Sequence, residues 1–348
     1  MTAPKIHRDL PDEELIAHCW SPDAEFIGGT KELGRKVAKI DDGTVVKFGR
    51  SVTKFEFENL RIAKSLVDPK IVHIPEVYRY FEDNGGKFGY LRDRGYILME
   101  YVYGTKIDPI EDPKLVRKVA DIVAHFASIK GDVPGTLSRG PCGSILFPDN
   151  DEFTFETVQA MEVWINRRIF PHQSSKISLK GVELVLCHLD IAPRNLLWCE
   201  DGSICFLDWA SAGFYPRSFE VAAQHYLLGF EKDFNQMLMD AMPPLSKDEE
   251  AQSRGIMIAR GNSERYSFRK VSRPSRKRQA QLGSPLDLTA IKWDGLNPEP
   301  GALLPGLNMT VEELKNSDLS TVPPSILLHA PPIPFPIPPC SPEPASSS

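Results

Sequence analysis

Proline is what first limits how much of this 348-residue chain can fold, because half of its 30 prolines lie after residue 262. Proline lacks a backbone N–H and holds φ near about −65°, so HAPPIPFPIPPCSPEPASSS cannot supply the hydrogen bonds of helix or sheet. Such a stretch favours extended polyproline-II coil. Earlier in the same region, Arg265 to Arg278 (RYSFRKVSRPSRKR) carries seven positive charges and no acidic ones. We read it as a solvated linker in preference to a nuclear-import or phosphate-binding patch. Residues 262–348 are therefore expected to form a disordered tail, with PPIPFPIPP a surface for a polyproline-binding partner. The chemistry is expected in residues 1–261, long enough for a two-lobed enzyme or two small domains.

Charge narrows the function classes. With 41 basic and 47 acidic residues, the chain has a formal net charge of −6, which argues against broad electrostatic binding of nucleic acid. The six cysteines (Cys19, Cys142, Cys187, Cys199, Cys205 and Cys340) have no paired metal-type spacing and sit mostly in apolar stretches, as free thiols of a reducing compartment do. The N-terminal MTAPKIHRDLPDEE has no apolar core, and no run approaches the ~18 apolar residues of a membrane helix. A soluble cytoplasmic protein without a membrane partner is expected, the basic run 265–278 being a route to the nucleus.

Hydrophobic patterning divides residues 1–261 into two lobes. In residues 1–102, short β-type runs surround one helix: GTVVKFG alternates Val45 and Lys47 with Val46 and Phe48, residues 52–67 have helical spacing, and YRYFED and YILMEYV are further strands. Residues 103–261 turn helical at KLVRKVADIVAHFASIK, FETVQAMEVWINRRIF and FEVAAQHYLLGFEKDFNQMLM, interrupted by a hairpin near 184–208. An α+β chain follows, a small antiparallel-sheet lobe leading into a mostly helical one.

The hairpin stretch, LVLCHLDIAPRNLLWCEDGSICFLDWASAGFYP, carries the chemistry. Asp201-Gly202 is a tight-turn signal between the runs 196–198 and 204–207. A hairpin symmetric about that turn sets Asn195 opposite Asp208, with Cα atoms ~4.5–5.5 Å apart. An amide oxygen beside a carboxylate suits a hard cation such as Mg2+. Asp190, five residues before Asn195, should face the same site and could accept a proton from a hydroxyl attacking phosphorus.

His188-Leu189-Asp190-Ile191-Ala192-Pro193-Arg194-Asn195, followed after the hairpin by Asp208-Trp209, resembles the H-x-D-x4-N loop and metal-binding Asp of the aminoglycoside phosphotransferase and choline kinase family. The resemblance covers about residues 20–255 and looks nearest to fungal members. It implies a two-lobed protein-kinase-like fold and an ATP- and Mg2+-dependent kinase acting on a hydroxyl of a small molecule. Asp190 is then the catalytic base, Asn195 and Asp208 hold Mg2+, and His188 braces the loop. Arg194 either reaches the transferring phosphoryl group or makes a salt bridge within the loop.

The same resemblance implies a small-lobe lysine for the nucleotide phosphates and a glutamate to orient it. Lys47 sits on the VVK strand. At 100° per residue Glu56 falls in the apolar arc with Val52, Leu60, Ala63 and Val67, whereas Glu58 falls opposite; a carboxylate on the buried stripe needs a partner, and Lys47 is available. Gly28, Gly29 and Gly34 form either a loop over the phosphates or plain turns. The backbone of Glu100 and Val102 is placed at an adenine-binding hinge, in a strand that also reads as core. Trp164, Trp209, Phe214, Tyr215 and Glu220 are candidates for a cation-binding substrate pocket, although aromatics at helical spacing are more often core residues.

The chain departs from the family pattern in having Leu189 where many relatives have Gly, Ala192 where some are basic, and Trp-Ala after Asp208. A non-catalytic kinase-like scaffold working through its tail is the alternative, opposed by the intact Lys47, Glu56, Asp190, Asn195 and Asp208. A protein kinase is disfavoured because AGFYPRSFE runs straight into a helix with no long activation segment.

Overall fold

The computed structural model describes residues 7–30, 35–83, 94–107, 113–148, 153–266 and 268, all within one compact unit, Met1–Arg269. Gly34 and the proline-rich and basic stretches of the tail from 269 onward lie outside the described residues.

In chain order the elements are α1 (Asp12–Cys19), β1 (Glu25–Thr30), β2 (Arg35–Asp41), β3 (Thr44–Gly49), α2 (Lys54–Leu66), β4 (Val77–Asp83), β5 (Arg94–Glu100) and β6 (Thr105–Lys106). They continue with α3 (Pro113–Ser128), β7 (Lys130–Gly131), β8 (Gly135–Thr136), α4 (Val158–Arg168), β9 (Leu184–Cys187), β10 (Leu196–Trp198) and β11 (Ile204–Phe206). The last are β12 (Gly213–Pro216), α5 (Arg217–Leu227), α6 (Lys232–Ala241) and α7 (Lys247–Arg265). The expected α+β arrangement is the observed one: a five-stranded antiparallel sheet, ordered β1-β2-β3-β5-β4, precedes a mainly helical lobe with two small sheets.

β3 is the pivot of the small lobe. Its alternation sends Val46 and Phe48 into a core with Leu15, Ile16 and Cys19 of α1 and with Tyr96 and Leu98 of β5. Lys47 leaves by the opposite face, toward α2. α2 starts where Thr53, in an extended conformation, accepts a hydrogen bond from the Glu56 N–H (3.2 Å). Its buried stripe is Glu56, Asn59, Leu60 and Ala63, the arc expected from helical periodicity.

In the large lobe α3 buries Val116, Val119, Val123 and Phe126 in a core that also holds Phe206 and Trp209 and reaches Leu60 and Ala63 of α2. A second core gathers Phe147, Ile165, Tyr215, Phe219 and Ile256. α7 begins with a Ser246–Glu249 capping box and runs through Arg265, four residues past the boundary expected at 261. Asn262 explains the extension, because its buried amide donates to the carbonyl of Arg168 (2.5 Å). The five described cysteines are free and buried, as expected; Cys340 lies outside the described residues. No described helix is long and apolar enough to cross a membrane.

Because Thr53 caps the helix that carries Glu56, Thr53→Ala should lower the unfolding free energy by about 1 kcal/mol. Urea unfolding checks this; an unchanged midpoint would mean the cap contributes nothing.

Candidate active site

The hairpin forms, but one residue out of the expected register. Leu196 pairs with Phe206, Leu197 with Cys205 and Trp198 with Ile204. The loop is Glu200-Asp201-Gly202, a three-residue connection with Gly202 at φ 78°, instead of a two-residue Asp-Gly turn. Asn195 consequently stands opposite Leu207, whose N–H donates to the Asn195 carbonyl (2.8 Å). Asp208 comes one residue later, with φ 58°, and this left-handed residue turns the chain into the short 3-10 turn Trp209–Ser211.

Asp208 is nevertheless delivered to the site. The Lys47 ammonium contacts the Glu56 carboxylate and lies 3.0 Å from the Asp208 carboxylate. Burial works against the charge on Lys47, but the two acids, Asp208 foremost, outweigh it and hold the ammonium above its ordinary value. The geometry that selects Glu56 over Glu58 is realised: Glu56 is 5% exposed, while Glu58 pairs with Arg61 at the surface.

Asp190 follows β9 on the loop expected. Asn195 donates through Nδ2 both to the Asp190 carbonyl (2.8 Å) and to its Oδ2 (2.9 Å), and Arg194 closes an ion pair on Oδ1. Burial raises the Asp190 pKa and nearby Asp208 adds to that, while Arg194 and Asn195 oppose the rise. Arg194 thus makes the salt bridge within the loop.

His188 is fully buried and uses both ring nitrogens in one neutral tautomer: Nε2–H donates to the Leu207 carbonyl (3.0 Å), and Nδ1 accepts from the Asp190 N–H (3.3 Å). It joins the Asp190 loop to the exit of the hairpin, and burial lowers its pKa to about 4. The Glu220 carboxylate accepts from the N–H groups of His188 (2.6 Å) and Leu189 (3.2 Å). Leu189 has φ 63° and no exposure: it adopts a conformation that costs a side chain about 1–2 kcal/mol, set against burial in the second core.

Asp190, Asp208 and Glu56 line one cleft of about 530 Å3, walled by Ser51, Thr53 and residues from the 141–148 segment. Gly28 and Gly29 lie in β1, with Gly29 at φ 100°. Glu100 ends β5; its N–H donates to the Glu76 carbonyl (2.8 Å), and its carboxylate accepts from the Glu76 N–H (2.8 Å) and pairs with His73 (3.2 Å). Val102 follows it, partly buried.

Residues 16–241, well over half of the chain, match the phosphotransferase enzyme family, APH. The chain belongs to this family. Among solved structures, aminoglycoside phosphotransferase APH(4)-Ia is similar at 16% identity over 73% of this chain and 89% of that one, with a TM-score of 0.48. The choline kinase LicA from Streptococcus pneumoniae is similar at 16% identity over 74% and 91%, with a TM-score of 0.40. No curated protein sequence matches.

Of the five candidates for a substrate pocket, the aromatics take the alternative reading, core packing. Trp209 and Tyr215 are 1% exposed and belong to the two cores; Trp209 packs edge-on against Phe126 and His188. Trp164 stacks on Phe153 and under Arg168, and Phe214 packs against the second small sheet at Gly131. Glu220 is 3% exposed and braces the backbone of the Asp190 loop at His188 and Leu189. Aromatic side chains at strand and helix spacing were drawn into the cores because each buries a large apolar area there. The bracing role of Glu220 and the contacts of Asn59 escaped sequence reasoning; the only signal for each is a polar residue on a buried helical stripe.

Burial raises the Glu220 pKa to about 7, against the loop N–H groups that favour its charge. A carboxyl raised in the native state contributes stability below its unfolded value of ~4.5 that is lost as pH rises through ~7. Buried neutral His188 contributes a slope of opposite sign, so the difference between wild type and Glu220→Gln isolates Glu220. That difference in unfolding free energy should shrink in favour of the variant from pH 4.5 to 7 and level off above. Parallel stability curves would contradict it.

Proposed function

We propose that the chain is a kinase that transfers the γ-phosphoryl group of ATP, with Mg2+, to a hydroxyl of a small molecule. The observation that carries this is the convergence of Asp190, Asp208 and Glu56 on one cleft from elements of both lobes, with Lys47 paired to both Glu56 and Asp208. Lys47, oriented by Glu56, is the cation for the nucleotide phosphates. Gly28 and Gly29 are candidates for backbone contacts to those phosphates, and the Glu100–Val102 backbone for contacts to the base; Gly34 lies outside the described residues.

The donor set fits Mg2+. Both amide hydrogens of Asn195 are spent on Asp190, which leaves its oxygen as the group with lone pairs to offer, and Asp208 adds carboxylate oxygens. Among the described residues no cluster of three or more His, Cys, Asp and Glu makes an all-protein cage. Mg2+ characteristically takes one or two protein ligands and completes its shell with phosphates and water. Bound there by Asn195 and Asp208, it would neutralise charge on the phosphates.

Asp190 acts as general base. The substrate oxygen forms the new O–P bond as the bond from the γ-phosphorus to the β,γ-bridging oxygen breaks, Asp190 takes the hydroxyl proton, and ADP leaves. Asn195 and Arg194 hold the carboxylate in place, and Arg194, with its side chain 44% exposed, also offers guanidinium N–H groups to the phosphoryl oxygens.

Asp190→Asn keeps the shape and removes the base. It should lower turnover by about 100-fold or more while leaving ATP affinity within about twofold, read by steady-state kinetics across a panel of small-molecule alcohols and by calorimetry. Wild-type turnover in this variant would remove Asp190 from the role.

A further inference from the structure

The Glu56 helix and the Asp208 turn come from different lobes, and both must meet Lys47. One side chain spans them directly. Asn59 lies three residues after Glu56 on α2, hence on the same buried face, and is 1% exposed. A primary amide buried that deeply is costly unless its two donors and its acceptor are satisfied. Here they are, and entirely by the other lobe. Nδ2 donates to the carbonyls of Trp209 (3.3 Å) and Ala210 (2.9 Å), and Oδ1 accepts from the N–H of Ser138 (2.8 Å). The partners also settle the orientation of the amide, since carbonyls can only accept and an N–H can only donate.

The two carbonyls belong to the residues directly after Asp208. Asp208 occupies a left-handed conformation that an aspartate holds only with support from its surroundings. The 3-10 turn that follows it, Trp209–Ser211, is what Asn59 grips. The third contact ties α2 to the 137–140 segment, just before the 141–148 wall of the cleft.

We propose that Asn59, on the lining of the cleft with its amide spent on the large lobe, is a positioning residue: it sets the distance between the Glu56 helix and the Asp208 turn, and so the site in which Mg2+–nucleotide is held. The inference rests on the phosphotransferase function proposed above and adds a specific cross-lobe contact to it. A residue that acts on a metal site through the ligand's own surroundings changes metal affinity by about 10–100-fold when lost.

Asn59→Asp gives the sharpest test, because it keeps the volume and the acceptor for Ser138 while removing both donors and setting a carboxylate against two carbonyls. Asn59→Ser, smaller and uncharged, is the second variant should the carboxylate not be tolerated in folding. ATP binding to the full-length chain is measured by calorimetry with Mg2+ and with EDTA. The readout is the ratio of the two affinities, which general destabilisation does not move. In wild type Mg2+ should tighten ATP. In the variants that tightening should fall by about tenfold or more, with the half-saturating Mg2+ concentration raised and metal-free ATP affinity within about threefold of wild type. Full Mg2+ tightening in a folded Asn59 variant would overturn the inference, as would equal losses with and without metal, while leaving the kinase reading intact. Absence of Mg2+ tightening in wild type would overturn the kinase reading and this inference together.

Discussion

A buried ammonium shared by two carboxylates organises this molecule. Lys47 has a side chain only 10% exposed, Glu56 6% and Asp208 24%. Charges removed from water to that extent are tolerated only when each has its partner, and deleting one partner of such a set typically costs about 3–5 kcal/mol. The three residues belong to β3, to α2 and to the turn after the β10–β11 hairpin, so the requirement is a constraint on how the two lobes meet. Thr53 starts α2 where Glu56 can reach Lys47, and Asn59 fixes the other end of the same contact on the Asp208 turn.

The large lobe answers with a rigid floor. Glu220, near the N-terminus of α5, holds the backbone of His188 and Leu189, and His188 in turn holds Leu207 and Asp190. Trp209 and Phe206 pack edge-on against the His188 ring, and Phe126 packs edge-on against both of them. Left-handed residues stand at both ends of this arrangement, Leu189 before Asp190 and Asp208 after the β10–β11 hairpin. Each is the kind of local strain that persists because buried contacts around it over-determine the backbone. The strain coincides with the two acids to which we assign chemistry.

How much of this was legible in the sequence depends on the range of the interaction. Glu56 could be chosen over Glu58 because helical periodicity decides which face is buried, and Lys47 because the family resemblance asks for a lysine on that strand. That Asp190 faces the same site as Asn195 was legible because the short IAPR interval returns the chain; the hydrogen bonds between the two are seen only in the structure. The hairpin register was not: a three-residue loop with Gly202 left-handed and a two-residue Asp-Gly turn share the same dipeptide, and a shift of one moved Asp208 off the ladder. Asn59 meets Trp209 and Ala210 across about 150 positions, and no local pattern encodes that. For the aromatic candidates the sequence left a pocket and a core both open, since local patterning does not distinguish an aromatic that lines a cleft from one that fills a core, and core packing is what the structure has.

The central claim is that these residues form a nucleotide site that depends on metal. Thermal unfolding of the full-length chain with and without saturating ATP and Mg2+, beside Asp208→Ala, tests it most directly. Ligand at about a hundred times its dissociation constant stabilises by roughly 2.7 kcal/mol, a rise in midpoint of a few degrees for a domain of this size. The account predicts a rise of that order in wild type that needs Mg2+ and is lost in the variant. A folded wild-type chain whose midpoint ATP and Mg2+ leave unmoved, or an equal rise in Asp208→Ala, would contradict it.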